Sequence, residues 1–129
     1  MAHTPYVWMG LDHVQLAAPE GCEAKARHYF GELLGMKEVE KPERLKTRGG
    51  VWFQCGPQMV HIGVENGFSP AKKAHPAFLV RGIEALMQRL AENGIRFRLD
   101  EDIPGTIRFF TEDPFGNRLE FMEVRDHAD

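Results

Sequence analysis

The order strand, helix, strand, strand, strand is written twice into this chain of 129 residues. In the first half, Leu11 to Ala18 is an apolar stretch ended by Pro19. Cys22, Ala26, Tyr29, Phe30 and Leu33 then recur at the spacing of one helix face, and Gly35 stands where a helix would be capped. Met36 to Glu40 reads as a strand and Pro42 to Arg48 as a helical turn. Val51 to Cys55 and Met59 to Val64 read as a hairpin around Gly56-Pro57-Gln58. After a loop from Glu65 to Ala74 the series restarts. His75 to Val80 is a strand, and Ile83, Leu86, Met87, Leu90 and Ala91 mark a helix face ending at Gly94. Ile95 to Leu99, Thr106 to Thr111 and Arg118 to Val124 are three more strands. Neither half is long enough to be a domain alone. The chain is therefore read as one α+β domain over 9–124, built from βαβββ modules at about 9–65 and 75–124, with a polar tail at 125–129.

Composition narrows the function classes. A net charge of −3 and a pI near 6.1 give no electrostatic reason to expect nucleic acid or an anionic membrane as partner. No apolar run approaches the roughly 18 residues of a membrane span. The opening Met1-Ala2-His3-Thr4-Pro5 lacks the basic start and apolar stretch of a signal peptide, so a cytoplasmic location is expected. Two cysteines, Cys22 and Cys55, are too few for a disulfide framework and read as inert buried thiols.

The repeat places chemistry at matching points. His13 lies in the first strand of the first half and His75 opens the second. His61 lies in the last strand of the first half and Glu120 in the last strand of the second. Side chains alternate along a strand. His13 therefore shares a face with Gln15, His61 with Met59 and Gly63, and Glu120 with Met122. In each strand the other face is apolar and suited to cover a helix. A carboxylate on a closed core face would need a partner. Three imidazoles and a carboxylate on one concave surface would make a metal site, for Zn, Ni, Mn, Co or Fe.

The residues Gly10-Leu11-Asp12-His13-Val14, His75, and Asp113-Pro114-Phe115-Gly116-Asn117-Arg118-Leu119-Glu120 carry a resemblance. The chain resembles the vicinal-oxygen-chelate superfamily, the group of glyoxalases, bleomycin-resistance proteins and extradiol dioxygenases. The resemblance implies two βαβββ modules forming one open, curled mixed sheet around a divalent metal, with helices on the outer face. It implies His13, His75 and Glu120 as metal ligands and His61 at a fourth position, which glyoxalase I enzymes fill with Glu. Two His and one Glu match the ligand sets of fosfomycin-resistance enzymes and extradiol dioxygenases. The resemblance also implies a homodimer whose metal site is shared between chains; the alternative is a monomer whose modules face each other.

Around that centre, Gln15, Trp52, Gln54, Arg108 and Phe110 are candidate pocket residues. Gln15 could hydrogen-bond a substrate, and Arg108 could bind a substrate carboxylate or phosphonate. The competing role for Arg108 is a surface pair with Glu112 or Asp113. Glu120 could both hold the metal and act as a base. The expected function is a metal-dependent lyase, thiol transferase or isomerase acting on a small oxygen-bearing molecule. The alternatives are an Fe(II) ring-cleaving dioxygenase and a metal-free drug-binding protein.

Overall fold

A computed structural model describes residues 3–125. Most of the expected polar tail, including His127, lies outside the described residues. Eight strands form two mixed four-stranded sheets. The first contains β1 (His13–Ala18), β2 (Lys37–Val39), β3 (Val51–Cys55) and β4 (Gln58–Val64), in the order β1-β4-β3-β2. The second contains β5 (Ala77–Leu79), β6 (Arg98–Asp100), β7 (Thr106–Glu112) and β8 (Arg118–Val124), in the order β5-β8-β7-β6. In both, the first strand runs parallel to the last and the other pairings are antiparallel. The repeat in the sequence is thus a repeat of topology. Neither sheet closes, so β1 and β5 each present an edge.

The predicted helix face is buried throughout: Cys22, Ala26, Tyr29, Phe30 and Leu33 all belong to the core. Its winding differs from expectation. One α-helical stretch, α1 (Glu23–Ala26), opens into a π-helical stretch at Arg27–Leu33. There Leu34 N–H reaches back to the Tyr29 carbonyl at 2.9 Å, a wider turn than the α-helical one. Gly35, with φ of 78°, reverses the chain as a left-handed C-cap residue. A 3₁₀ turn covers Glu43–Arg48, and α2 spans Ile83–Glu92.

Strands β1 and β5 begin later than the sequence suggests. Leu11 and Asp12 precede β1, and Leu11 is exposed. In the second module Pro76 has no N–H for a ladder, so β5 begins at Ala77 and His75 stands just outside it. The strand read at Ile95 to Leu99 lies at Arg98–Asp100, where it pairs with β7.

The strand faces turned away from the histidines meet in one core. Leu16, Val51, Phe53, Val60 and Ile62 come from the first sheet, and Phe78, Phe109, Leu119 and Phe121 from the second. Each such side chain contributes roughly 1.5–3 kcal/mol of burial. Polar latches fix the two modules to each other. Arg89 of α2 donates to the Leu33 carbonyl at 2.7 Å and the Glu32 carbonyl at 3.0 Å, satisfying C-terminal helix carbonyls that lack intrahelical partners. Asn117 Nδ2 donates to Ala17 O at 2.8 Å, a hundred residues away, and to Asp113 Oδ2 at 2.8 Å. Asp113 Oδ1 accepts the Phe115 and Asn117 N–H groups. The Asp-Pro-Phe-Gly-Asn turn is therefore a module junction.

Gly82 precedes α2 with no side-chain cap, and Glu123 of β8 takes that role, accepting the Gly82 and Ile83 N–H groups at 2.9 Å each. Arg125, read from sequence as part of a loose tail, is held by Glu84 and Glu123. Before β1, Tyr6, Val7, Trp8, Met9 and Leu11 form an exposed apolar arm, with Trp8 86% and Met9 91% exposed. Among the described residues no helix is long and apolar enough to cross a membrane.

Candidate functional site

The register explains what the first sheet displays. Gln15 lies beside His61, and His61 beside Trp52; in the adjacent row His13 lies beside Met59 and Met59 beside Gln54. All six share the face opposite the core. Their rings stack. Trp52 lies parallel on His61 with centroids 3.8 Å apart, and His13 covers the other side of His61 at 4.0 Å. The sandwich buries His61, and its Nε2 has no hydrogen-bond partner. A buried polar atom left unpaired in a folded protein calls for a ligand or another explanation. Burial first, and then the neighbouring His13, push the His61 imidazole below its ordinary range, against a smaller opposing pull from Asp12. That keeps it neutral, the form that binds metal.

His13 Nδ1 contacts Asp12 Oδ2 at 2.9 Å, which leaves Nε2 as its outward nitrogen. A carboxylate behind an imidazole is the usual support of a metal-ligating histidine. Gln15 lies over Gly63, where an added Cβ would collide with its amide. Gln54 turns back on its own hairpin and donates to the Gly56 and Gln58 carbonyls.

The second sheet holds a charged chain. His75 Nδ1 meets the Lys73 carbonyl at 2.8 Å, and its Nε2 meets Glu120 Oε1 at 2.9 Å. A carbonyl can only accept, so Nδ1 donates to Lys73 O and Nε2 is the nitrogen turned to the carboxylate. Glu120 Oε2 accepts from Arg108 at 2.6 Å, and Arg108 also donates to Asp100 at 2.7 Å. Burial alone would raise the Glu120 carboxyl. The hydrogen bonds and charges of Arg108 and His75 outweigh burial and hold it below the ordinary Glu range. Arg108 thus sits in an ion-pair chain with Asp100 and Glu120, neither of the partners considered from sequence. Phe110 lies beside Glu120 in the register and meets His75 edge-on at 5.4 Å.

The four candidate ligands therefore fall into two pairs. His13 and His61 belong to one module, and His75 and Glu120 to the other. Among the described residues no three His, Cys, Asp or Glu side chains come together as a metal site. Between the edges of β1 and β5 runs a groove of about 980 Å³, with His13 and His75 both in its wall. Cys22 is buried and Cys55 partly so; both are free thiols, raised by burial. The sequence reading missed Asp12, Gly63 and Asp100. Asp12 was legible as the neighbour of His13. The grip of Asp100 on Arg108 depends on β6–β7 register, which carries no sequence signal.

The donor set fits a divalent cation. His61 offers an unpaired nitrogen, and Asp12 and Lys73 O fix the rings of His13 and His75. His75 Nε2 and Glu120 Oε1 face each other 2.9 Å apart, where a cation could be shared.

Comparison with known proteins agrees with this architecture. The family model for the Glyoxalase/Bleomycin resistance protein/Dioxygenase superfamily matches residues 10–121. A structure of a glyoxalase family protein from Bacillus anthracis is 55% identical, with a TM-score of 0.90 over 95% of this chain and 99% of that one. A lactoylglutathione lyase from Agrobacterium tumefaciens is 19% identical, with a TM-score of 0.71 over 93% of this chain and 96% of that one. A glyoxalase/dioxygenase from Nostoc punctiforme is 18% identical, with a TM-score of 0.77 over 98% of each chain. The last two are likenesses of fold. No curated protein matches the sequence. With its twin βαβββ modules and a family match running from the arm to the last strand, the chain belongs to the Glyoxalase/Bleomycin resistance protein/Dioxygenase superfamily.

Proposed function

We propose that this protein is a divalent-metal-dependent enzyme of the lyase, thiol-transferase or isomerase kind, acting on a small oxygen-bearing molecule. Its centre is made by His13 and His61 of one chain with His75 and Glu120 of a second copy. The observation that carries this reading is the division of one plausible ligand set into two separate pairs, one of them with an orphaned buried nitrogen. The apolar arm before His13 and exposed Leu79 on β5 supply surface for a partner copy to cover. The edges of β1 and β5 leave backbone groups that a second chain can pair.

A metal held there would supply Lewis acidity toward two neighbouring substrate oxygens. The chain's own residues would do the rest. Glu120, kept ionised, can take a proton at Oε1 once His75 no longer shares it. Gln15, in the groove wall, can orient a substrate oxygen, and Trp52 holds the His61 ring in place by stacking on it.

One observation favours a metal-free binding protein instead: both Glu120 oxygens already have partners in His75 and Arg108. Elemental analysis of protein purified without chelator decides between the two. Near-stoichiometric metal that is lost in His61→Ala and Glu120→Ala is the expected result. A chain that refuses Zn²⁺, Ni²⁺, Mn²⁺ and Fe²⁺ would sink the enzyme reading. Oxygen uptake by iron-loaded protein on a catechol would move the assignment to a dioxygenase.

A further inference from the structure

Phe110 gathers three guanidinium groups. Arg118 lies 4.5 Å from its ring centroid, and Arg98 and Arg108 lie at 5.1 Å each. All three arginines lie on strands of the second sheet, and the ring they share contacts His75. Their partners differ. Arg108 is consumed by Asp100 and Glu120. Arg98 is mostly exposed and has only Asp100, at 3.8 Å. Arg118 has no carboxylate within 4.0 Å among the described residues; its guanidinium donates to the Lys72 carbonyl at 3.4 Å. Glu112 is opposite Arg118 in the register without forming that pair. Arg118 stands on β8 two residues before Glu120, in the same module as His75.

We propose that Arg98 and Arg118, laid against Phe110 beside His75 and Glu120, form an oxyanion-binding shelf of the site. The molecule this protein acts on then carries a carboxylate, phosphonate or phosphate close to the oxygens that face the His/Glu cluster. This rests on the site reading given under the proposed function and names its substrate class. The physical reason is pre-organisation. A guanidinium stacked on an aromatic face keeps its fork of donors free while losing much of its rotamer freedom beforehand. Carboxylates and phosphonates match that fork in two parallel charge-assisted bonds. Arg108 cannot serve, because its charge holds Glu120. Arg118 is the member of the trio without a carboxylate partner among the described residues, and it shares its strand with Glu120.

The test uses methylphosphonate as probe, followed by ³¹P NMR titration of the full chain, with metal content measured on the same samples. Arg98→Gln with Arg118→Gln should weaken binding at least tenfold while leaving metal content and the thermal midpoint unchanged. Arg81→Gln, on an exposed loop, should bind like the parent. Phe110→Leu should fall between the parent and the double variant. Equal binding by the double variant and the parent, or no binding by the parent at millimolar probe, overturns the proposal. A chain that takes no metal yet loses phosphonate binding in the double variant upholds the shelf and refutes the metal reading. Metal retained with phosphonate binding indifferent to both arginines does the reverse.

Discussion

Two dead variants of this protein should rescue each other. His13→Ala removes a proposed ligand from one module and Glu120→Ala one from the other, and the two modules hold separate pairs. If each centre takes its histidine pair from one chain and its His75–Glu120 pair from a second, every homodimer of either variant has two damaged centres. In a heterodimer one centre carries both lesions and the other carries neither. Random reassortment of equal amounts makes about half of the dimers mixed, so about one quarter of the wild-type centres should return. Co-expression, or mixing in denaturant followed by refolding, supplies the exchange. Bound metal per chain, measured after a chelator wash, supplies the readout. Each variant alone should stay near zero. Recovery well below the expected quarter, from dimers shown by tagged pull-down to be mixed, would refute a shared centre. It would mean that the pairs meet within one chain or not at all. His13→Ala mixed with His61→Ala should give no rescue, because both lesions fall on the same pair.

The fold makes its own predictions. Gly50 adopts φ of 89°, and an added Cβ would collide with the Ile62 carbonyl oxygen; Gly50→Ala should cost about 3 kcal/mol, read as a lower urea midpoint with unchanged slope. A Gly50→Ala protein as stable as the parent would show that β3 can shift freely against β4. Asn117→Ala removes the bond to Ala17 and strands Asp113, so a loss of about 2 kcal/mol is expected by the same measurement. Asn117→Asp, which cannot donate, should not restore it. Glu123 is held below the ordinary Glu range, first by the Ile83 N–H and then by Arg125. A depressed carboxyl stabilises the fold above its unfolded value and loses that contribution as pH falls through its folded value. Glu123→Gln should therefore flatten the decline in stability below pH 4.5, the ordinary Glu value. An unchanged acid limb would remove Glu123 from the cap of α2.

Periodicity carried most of the fold. The five residues read as one helix face are all buried, although the longer part of that helix, Arg27–Leu33, is wound as a π-helix. Burial depends on which side a residue faces, and that survived the change of pitch. Strand parity likewise put His13 and His61 on one face and Phe53 and Ile62 on the other. What parity could not supply was the third dimension. His75 reads as a strand residue, but Pro76 has no N–H for the ladder, and His75 stands just before β5 with its ring fixed by the Lys73 carbonyl. Arg108 reads as a substrate contact or a surface pair. Its real partners come from β6 and β8, and their registers are set by packing. The division of the ligands was also hidden, because a repeat states that two halves are alike and says nothing of how they face each other.

The ring sandwich at His61 has an optical consequence. The chain has two tryptophans. Trp52 lies flat on an imidazole, and Trp8 stands in solvent on the arm. An excited indole gives up an electron readily to a protonated imidazole stacked on it, so Trp52 should be dim whenever His61 is charged and brighter when it is neutral. Trp8 emits as a solvated indole until something covers the arm, and then its emission moves to the blue. The two signals differ in wavelength and answer to different events. The protein's own ultraviolet fluorescence thus separates the protonation of His61 from the fate of its arm, with no label attached.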